Sequence, residues 1–79
     1  MTDVKIRQKA YLMGNLLVYT YQSASWVKPK DYPHKNKASV YRAFEALLDA
    51  GMVEKDWDSS IIQYRVSDRA KRDIEREAR

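Results

Sequence analysis

The sequence predicts an α+β fold with three main helices, a short additional helix or strand, and a two- to three-stranded antiparallel hairpin. Three observations lead to this prediction. Apolar residues recur at helical spacing near the N-terminus and again in the middle of the chain. Two runs of β-forming residues flank the turn-forming sequence Asp58-Ser59-Ser60. With 79 residues, the chain has room for one small domain, which we place over residues 1–79.

The first helix is predicted to run to about Gln22 and to carry two apolar stripes. The stripe predicted to face the core consists of Ile6, Ala10, Met13, Leu17 and Tyr21. The second stripe consists of Val4, Tyr11 and Val18, whose spacing of seven is that of a helix–helix seam. We therefore expect a homodimer with Val4, Tyr11 and Val18 at its interface. The alternative is that the last helix of the same chain covers this stripe.

Residues 23–37 break the helical pattern. Trp26-Val27 is predicted to form a short strand or a core anchor. Pro29 suits the first position of a short helix, and Pro33 ends that helix within about a turn.

The middle helix is predicted to run from about Lys37 to Ala50. Asn36 is its expected N-cap, and Gly51 is expected to end it in the left-handed conformation. Its core face consists of Val40, Phe44, Leu47 and Leu48. Tyr41 lies at the boundary of that face, where it can be half-buried against the first helix.

The hairpin is predicted over residues 52–57 and 61–66, and Ile62, Tyr64 and Val66 alternate in its second strand. For Trp57, near the tip, core cover is favoured slightly over an exposed contact. A final helix begins after a cap at Ser67 or Asp68. Its narrow apolar stripe consists of Ala70, Ile74 and Ala78.

Composition excludes several classes of function. The chain contains no cysteine and one histidine, so a disulfide framework, a zinc finger or a cysteine nucleophile is ruled out. It has neither a glycine-rich phosphate loop nor a Ser/His/Asp set suited to a pocket. We expect no enzymatic activity, cofactor, metal, small-molecule ligand or membrane association. The lack of cysteine indicates a reducing compartment, the cytoplasm, or the host cytoplasm for a viral protein.

The net charge of +4 is unevenly distributed. Residues 1–37 carry seven basic and two acidic residues, whereas residues 38–60 carry two basic and five acidic ones. Positive charge is therefore concentrated just before the middle helix, where the N–H groups at the helix start also favour phosphate.

A family resemblance is carried by the segment KASVYRAFEALLDAGMVEK, residues 37–55, and by YRVSDRAKRDIE, residues 64–75. The first resembles the recognition helix and following strand of winged helix-turn-helix regulators of the MarR and PadR type, and the second resembles the stretch where their wing ends and the last helix begins. The resemblance covers roughly residues 26–75. It implies a winged-helix domain whose middle helix enters the major groove of DNA, as in small regulators of viruses, plasmids and prokaryotes. In two places the sequence departs from the family pattern, because Pro33 truncates the helix before the recognition helix and the wing is acidic.

The candidate DNA-binding residues follow from charge and exposure. The phosphate-binding candidates before and at the start of the middle helix are Lys28, Lys30, His34, Lys35 and Lys37. Ser39 and Arg42 are the best candidates for base contacts, and Tyr41 is a marginal one. Two alternatives remain: a merely solubilising loop, and an Arg42–Glu45 salt bridge.

In the wing, Lys55 and Arg65 are candidates for phosphate contacts. The acidic residues Glu54, Asp56 and Asp58 of the same hairpin leave open whether the wing touches DNA.

The sequence thus predicts a sequence-specific regulator of transcription that binds double-stranded DNA as a homodimer. Two alternatives are a winged-helix module that binds another protein, with the acidic wing as its docking surface, and an accessory DNA-binding factor in replication or recombination.

Overall fold

The computed structural model describes the backbone of residues 2–23 and 25–78, and the side chains of residues 7–23 and 25–78. In chain order the elements are α1 (Thr2–Gln22), a 3₁₀ helix (Pro29–Asp31), α2 (Lys37–Asp49), β1 (Val53–Lys55), β2 (Tyr64–Val66) and α3 (Asp68–Glu77). The two strands pair antiparallel, with Val53 opposite Val66. The α+β prediction of three helices and an antiparallel hairpin is confirmed, although both strands are shorter than predicted.

α1 ends at Gln22 as predicted, but the predicted core face is only partly right. Met13 and Leu17 of that face are half-buried and pack against the core, whereas the Ile6 side chain lies outside the described residues. The buried residues are Leu16 and Thr20, whereas Ala10 is exposed and Leu17 is only half-buried. The true core face is therefore rotated by about one residue, roughly 100° around the helix axis. Thr20 was overlooked because it is polar, yet its hydroxyl donates to the Leu16 carbonyl at 2.6 Å and is satisfied within the helix.

The segment after α1 contains both features that were predicted for it. Val27 is buried and exchanges two backbone hydrogen bonds with Tyr64, at 2.7 and 2.8 Å, in a single β-bridge beside β2. Pro29 begins the 3₁₀ helix, which ends two residues before Pro33.

α2 has the predicted caps at both ends. The Asn36 side chain accepts a hydrogen bond from the Ser39 N–H at 3.2 Å. After the helix, Gly51 has a φ of 75°, and the Gly51 and Met52 N–H groups bond back to the Leu48 and Leu47 carbonyls. These two bonds form a Schellman motif, which explains why the chain turns sharply into β1.

The core lies where α1, α2 and the hairpin meet. Val40, Phe44 and Leu47 are buried as predicted, and Ala43 joins them. The Tyr64 ring stacks on Phe44 with centroids 4.7 Å apart and planes 7° apart. This buried stack attaches the hairpin to α2.

α3 is joined to the same core through Ser67. The Ser67 hydroxyl caps α3 by accepting from the Ala70 N–H at 3.1 Å and donates to the Gly51 carbonyl at 2.7 Å. Ala70 is buried and Ile74 half-buried, whereas Ala78 is exposed.

Two predictions for the hairpin are wrong. Trp57 is 75% exposed and does not cover the core, and Ile62 is 45% exposed and lies outside β2, although it is predicted within the second strand. Both residues lie in the hairpin loop, residues 56–63, because β1 ends at Lys55 and β2 begins only at Tyr64. The strand alternation therefore does not extend to them.

Candidate nucleic-acid interface

The basic loop, residues 28–37, is folded against α1 and α2. The Tyr32 ring forms a T-shaped contact with Tyr19 of α1, with centroids 5.0 Å apart and planes at 77°. The Lys37 ammonium donates to the Tyr32 carbonyl, and Nδ1 of the His34 ring lies 3.0 Å from the Asn36 backbone nitrogen. These contacts join the basic loop to α1 and to the residues at the start of α2.

A groove of about 710 Å³ lies between the N-terminal half of α1, the basic loop and the first turns of α2. It brings together four of the predicted DNA-binding residues, which are His34, Lys35, Ser39 and Arg42. Lys9 of α1 adds a third positive charge to those of Lys35 and Arg42. Among the side chains that the structure describes, no aspartate or glutamate lines this groove.

Sequence reasoning missed the contribution of α1 to the groove. Gln8, Lys9 and Asn15 line it together with Tyr11 and Leu12. One signal was available, because Gln8 and Asn15 are polar and seven residues apart, which places them on one helix face.

The other predicted cations near α2 do not line this groove. Lys30 is exposed, Lys28 is half-buried beside the buried Pro29, and Lys37 uses its ammonium to hold the loop. Tyr41 is half-buried, as expected for a boundary position, but it lies on the hairpin side of α2 and contributes to the raised pKa of Tyr64.

Arg42 is exposed and does not form the alternative salt bridge with Glu45. Glu45 instead turns toward the hairpin, where it accepts a hydrogen bond from the Tyr64 hydroxyl at 2.8 Å and lies 3.5 Å from the Lys55 ammonium. Because Glu45 is engaged there, the Arg42 guanidinium remains available at the groove.

The hairpin cations are both paired. Lys55 pairs with Glu45 and lies 4.9 Å above the Trp57 ring, whereas Arg65 pairs with Glu54 at 3.0 Å and lies 4.5 Å above the Trp26 ring. In the part of the chain whose side chains are described, the ion pairs are these two and Arg76–Asp73. None of them involves Lys9, Lys35 or Arg42.

Burial raises the pKa of the Tyr64 phenol well above its usual range. Desolvation is the largest cause, followed by the hydrogen bond to the Glu45 carboxylate and the negative charge of that group. The hydroxyl therefore stays protonated and keeps Glu45 oriented toward the hairpin.

The predicted dimer stripe lies on the side of α1 opposite the core. Tyr11 is 73% and Val18 53% exposed, while the Val4 side chain lies outside the described residues. The alternative that α3 covers this stripe is wrong, since both side chains are open to solvent.

The described residues contain no group of three or more histidine and acidic side chains placed to hold a metal ion. Over the same residues, none of the helices has both the length and the apolar run that a membrane crossing requires.

Comparisons with protein-family models, with curated proteins and with solved structures found no match to this chain.

Proposed function

We propose that this chain is a winged-helix regulator of transcription that binds double-stranded DNA, with α2 in the major groove. One observation carries the proposal. Lys35 lies just before α2 and Arg42 in its second turn, and neither has an acidic partner among the described side chains. Both line a groove that the described acidic side chains do not line. Unpaired cations are the groups that can replace the counterions of DNA phosphates.

The order of elements supports a winged-helix reading. α1, the 3₁₀ helix and α2 occur in the order of a helix-turn-helix, followed by the hairpin and a last helix. The 3₁₀ helix takes the place of the second helix, as the position of Pro33 implies. In this arrangement Ser39 and Arg42 are the base-contact candidates, and Lys28, Lys30, His34, Lys35 and Lys37 are phosphate candidates.

We further propose a homodimer through the outer face of α1. An exposed tyrosine and valine seven residues apart suit a helix–helix seam. A twofold dimer would read two half-sites about one helical turn apart.

A second candidate function is favoured by the exposed hairpin loop. Trp57, Ile61 and Ile62 are exposed in one short loop that also contains Asp56 and Asp58, and this composition suits a protein partner better than a phosphate backbone. In that case the domain would be a protein-binding module, and α2 would have no role in DNA recognition.

Titration of a random-sequence duplex and of duplexes selected from a random pool separates these candidates. For the DNA-binding protein, affinity falls steeply between about 50 mM and about 200 mM salt, because released counterions drive binding. The selected duplexes should share a palindromic site. Lack of binding to either duplex at the lower salt concentration contradicts the proposal and leaves the protein-binding module.

A further inference from the structure

The hairpin loop carries a cluster of exposed apolar side chains. Trp57 is 75%, Ile61 47% and Ile62 45% exposed, and all three lie within six residues of one another. Single exposed apolar side chains are common on protein surfaces, whereas three within one short loop make that loop a candidate interaction site.

Local contacts hold this loop in shape. The Asp56 carboxylate accepts from the Asp58 N–H at 3.1 Å and from the Gln63 amide at 2.6 Å, and the Ser59 hydroxyl accepts from the Ile61 N–H at 3.0 Å. The Lys55 ammonium lies 4.9 Å above the Trp57 ring. Less ordering entropy is lost when such a loop binds, so its apolar side chains are suited to anchor a complex.

The charge of the loop indicates which surface it fits. Asp56 and Asp58 flank Trp57 in the chain, and neither takes part in an ion pair among the described residues. Their charge opposes contact with a phosphate backbone or an anionic lipid surface. The complementary surface therefore combines aromatic or aliphatic side chains with cations.

The groove between α1, the basic loop and α2 has that character. Lys9, Lys35 and Arg42 line it together with Tyr11 and Tyr32, and its volume of about 710 Å³ lies within the range of pockets that accept large apolar groups. We propose that the hairpin loop of one copy binds this groove of a second copy, with Trp57 as the apolar anchor and Asp56 and Asp58 facing the cations.

Such a contact joins two different surfaces of the same chain. Each copy then has one hairpin loop and one groove to offer, so association proceeds head to tail and is open-ended unless a ring closes. The contact does not depend on DNA binding, but it would use Lys35 and Arg42 and so compete with a duplex. Tyr11 lines the groove and also belongs to the proposed dimer stripe, so a substitution there would affect both contacts. Val18 belongs only to the dimer stripe and Trp57 only to the hairpin loop, so substitutions at these two residues test the contacts separately.

Sedimentation velocity without DNA tests the contact. All samples carry Val18→Glu, which removes the proposed α1 dimer, and their folding is checked by circular dichroism. We expect the sedimentation coefficient of the parent to rise with protein concentration and to fall back with added salt. Trp57→Ala, which removes the anchor, and Lys9→Glu with Lys35→Glu, which reverses the groove charge, should each weaken association about tenfold or more.

Mixing these two variants provides the decisive measurement. The Trp57 variant keeps an intact groove and the lysine variant keeps an intact loop, so the mixture should form a one-to-one complex that neither forms alone. A monomeric parent at every concentration, or a mixture without a complex, overturns the head-to-tail contact. No DNA is present in these samples, so neither outcome tests the proposed DNA-binding function. That function is tested separately by the salt titration of duplexes.

Discussion

The cations beside α2 and the cations of the hairpin differ in what surrounds them. Lys35 and Arg42 border a groove that acidic side chains do not line in the described part of the chain, whereas Lys55 and Arg65 each pair with a glutamate and lie over a tryptophan ring. All four are basic residues in the sequence, but only the first two keep their charge available to a partner. Pairing, more than the number of basic residues, therefore separates the two regions, and the proposed function assigns DNA to the region whose cations are not paired.

The two regions also differ in how they are anchored. The hairpin is tied to α2 by the fully buried Tyr64–Phe44 stack, whereas the basic loop is tied to α1 by the edge contact between the half-buried Tyr19 and Tyr32. The hairpin thus contributes the fully buried Tyr64 ring to the core, whereas the basic loop contributes the buried Pro29 and the half-buried Tyr32 ring.

The largest effect is expected from removing the hairpin anchor. Phe44→Ala deletes a fully buried ring and should lower the free energy of unfolding by about 3–5 kcal/mol. Urea denaturation followed by circular dichroism measures the loss. Tyr32→Ala is the matched control in the basic loop, and it should cost clearly less because that ring is only half-buried. An equal loss at both positions would mean that the two regions are anchored equally.

The next effect concerns recognition by α2. Arg42→Ala should weaken binding to a selected duplex by about 1–3 kcal/mol and weaken binding to random DNA much less, if the guanidinium reads a base. Lys35→Ala should weaken both by a similar factor and reduce the slope of log affinity against log salt by about one unit. Fluorescence anisotropy with both duplexes gives these values. Equal losses for Arg42→Ala on the two duplexes would assign it to phosphate contact.

Much of the fold follows from local rules that the sequence displays. The caps at Asn36, Gly51 and Ser67 and the turn at Pro29 depend on neighbouring residues alone, and all four occur where predicted. The core face of α1 depends on which side the other elements approach. Apolar residues surround this helix, so periodicity could not select the face that Leu16 and Thr20 occupy.

The candidate site was predictable only in part for the same reason. The cations before α2 were visible in the sequence because they lie within one short segment, residues 28–37. Lys9 lies 26 positions before Lys35 in the sequence, and only the packing of α1 against α2 brings it to the groove. The engagement of Glu45 by Tyr64 likewise links residues 19 positions apart, so the local Arg42–Glu45 pair remained an alternative until the structure was known.

Because the pKa of Tyr64 in β2 is raised, the free energy of unfolding is expected to fall at alkaline pH. The folded state holds this proton above pH 10, where the unfolded chain releases it. This stabilising contribution is complete below about pH 10, and it falls by about 1.4 kcal/mol per pH unit as the pH rises further toward the folded pKa. The free energy of unfolding between pH 9 and pH 11, compared with Tyr64→Phe, measures the slope. A slope that the substitution leaves unchanged would contradict the assignment to Tyr64.

The smallest effects are expected at the paired cations of the hairpin. Arg65→Ala removes a half-exposed ion pair and a stacking contact with Trp26, which together should change stability by no more than about 1 kcal/mol and leave duplex affinity unchanged.

Glu54→Gln is the sharper experiment, because it frees the Arg65 guanidinium without removing it. If the ion pair with Glu54 is what keeps Arg65 from contacting phosphate, this variant should bind random DNA more tightly than the parent. The slope of log affinity against log salt should then be larger by up to about one unit, the value of one added phosphate contact. Arg65→Ala added to Glu54→Gln should then cancel the increase in slope. Suppose instead that Arg65→Ala alone weakens binding as much as Lys35→Ala does. Arg65 would then reach phosphate despite its glutamate partner, and pairing would no longer distinguish the two regions.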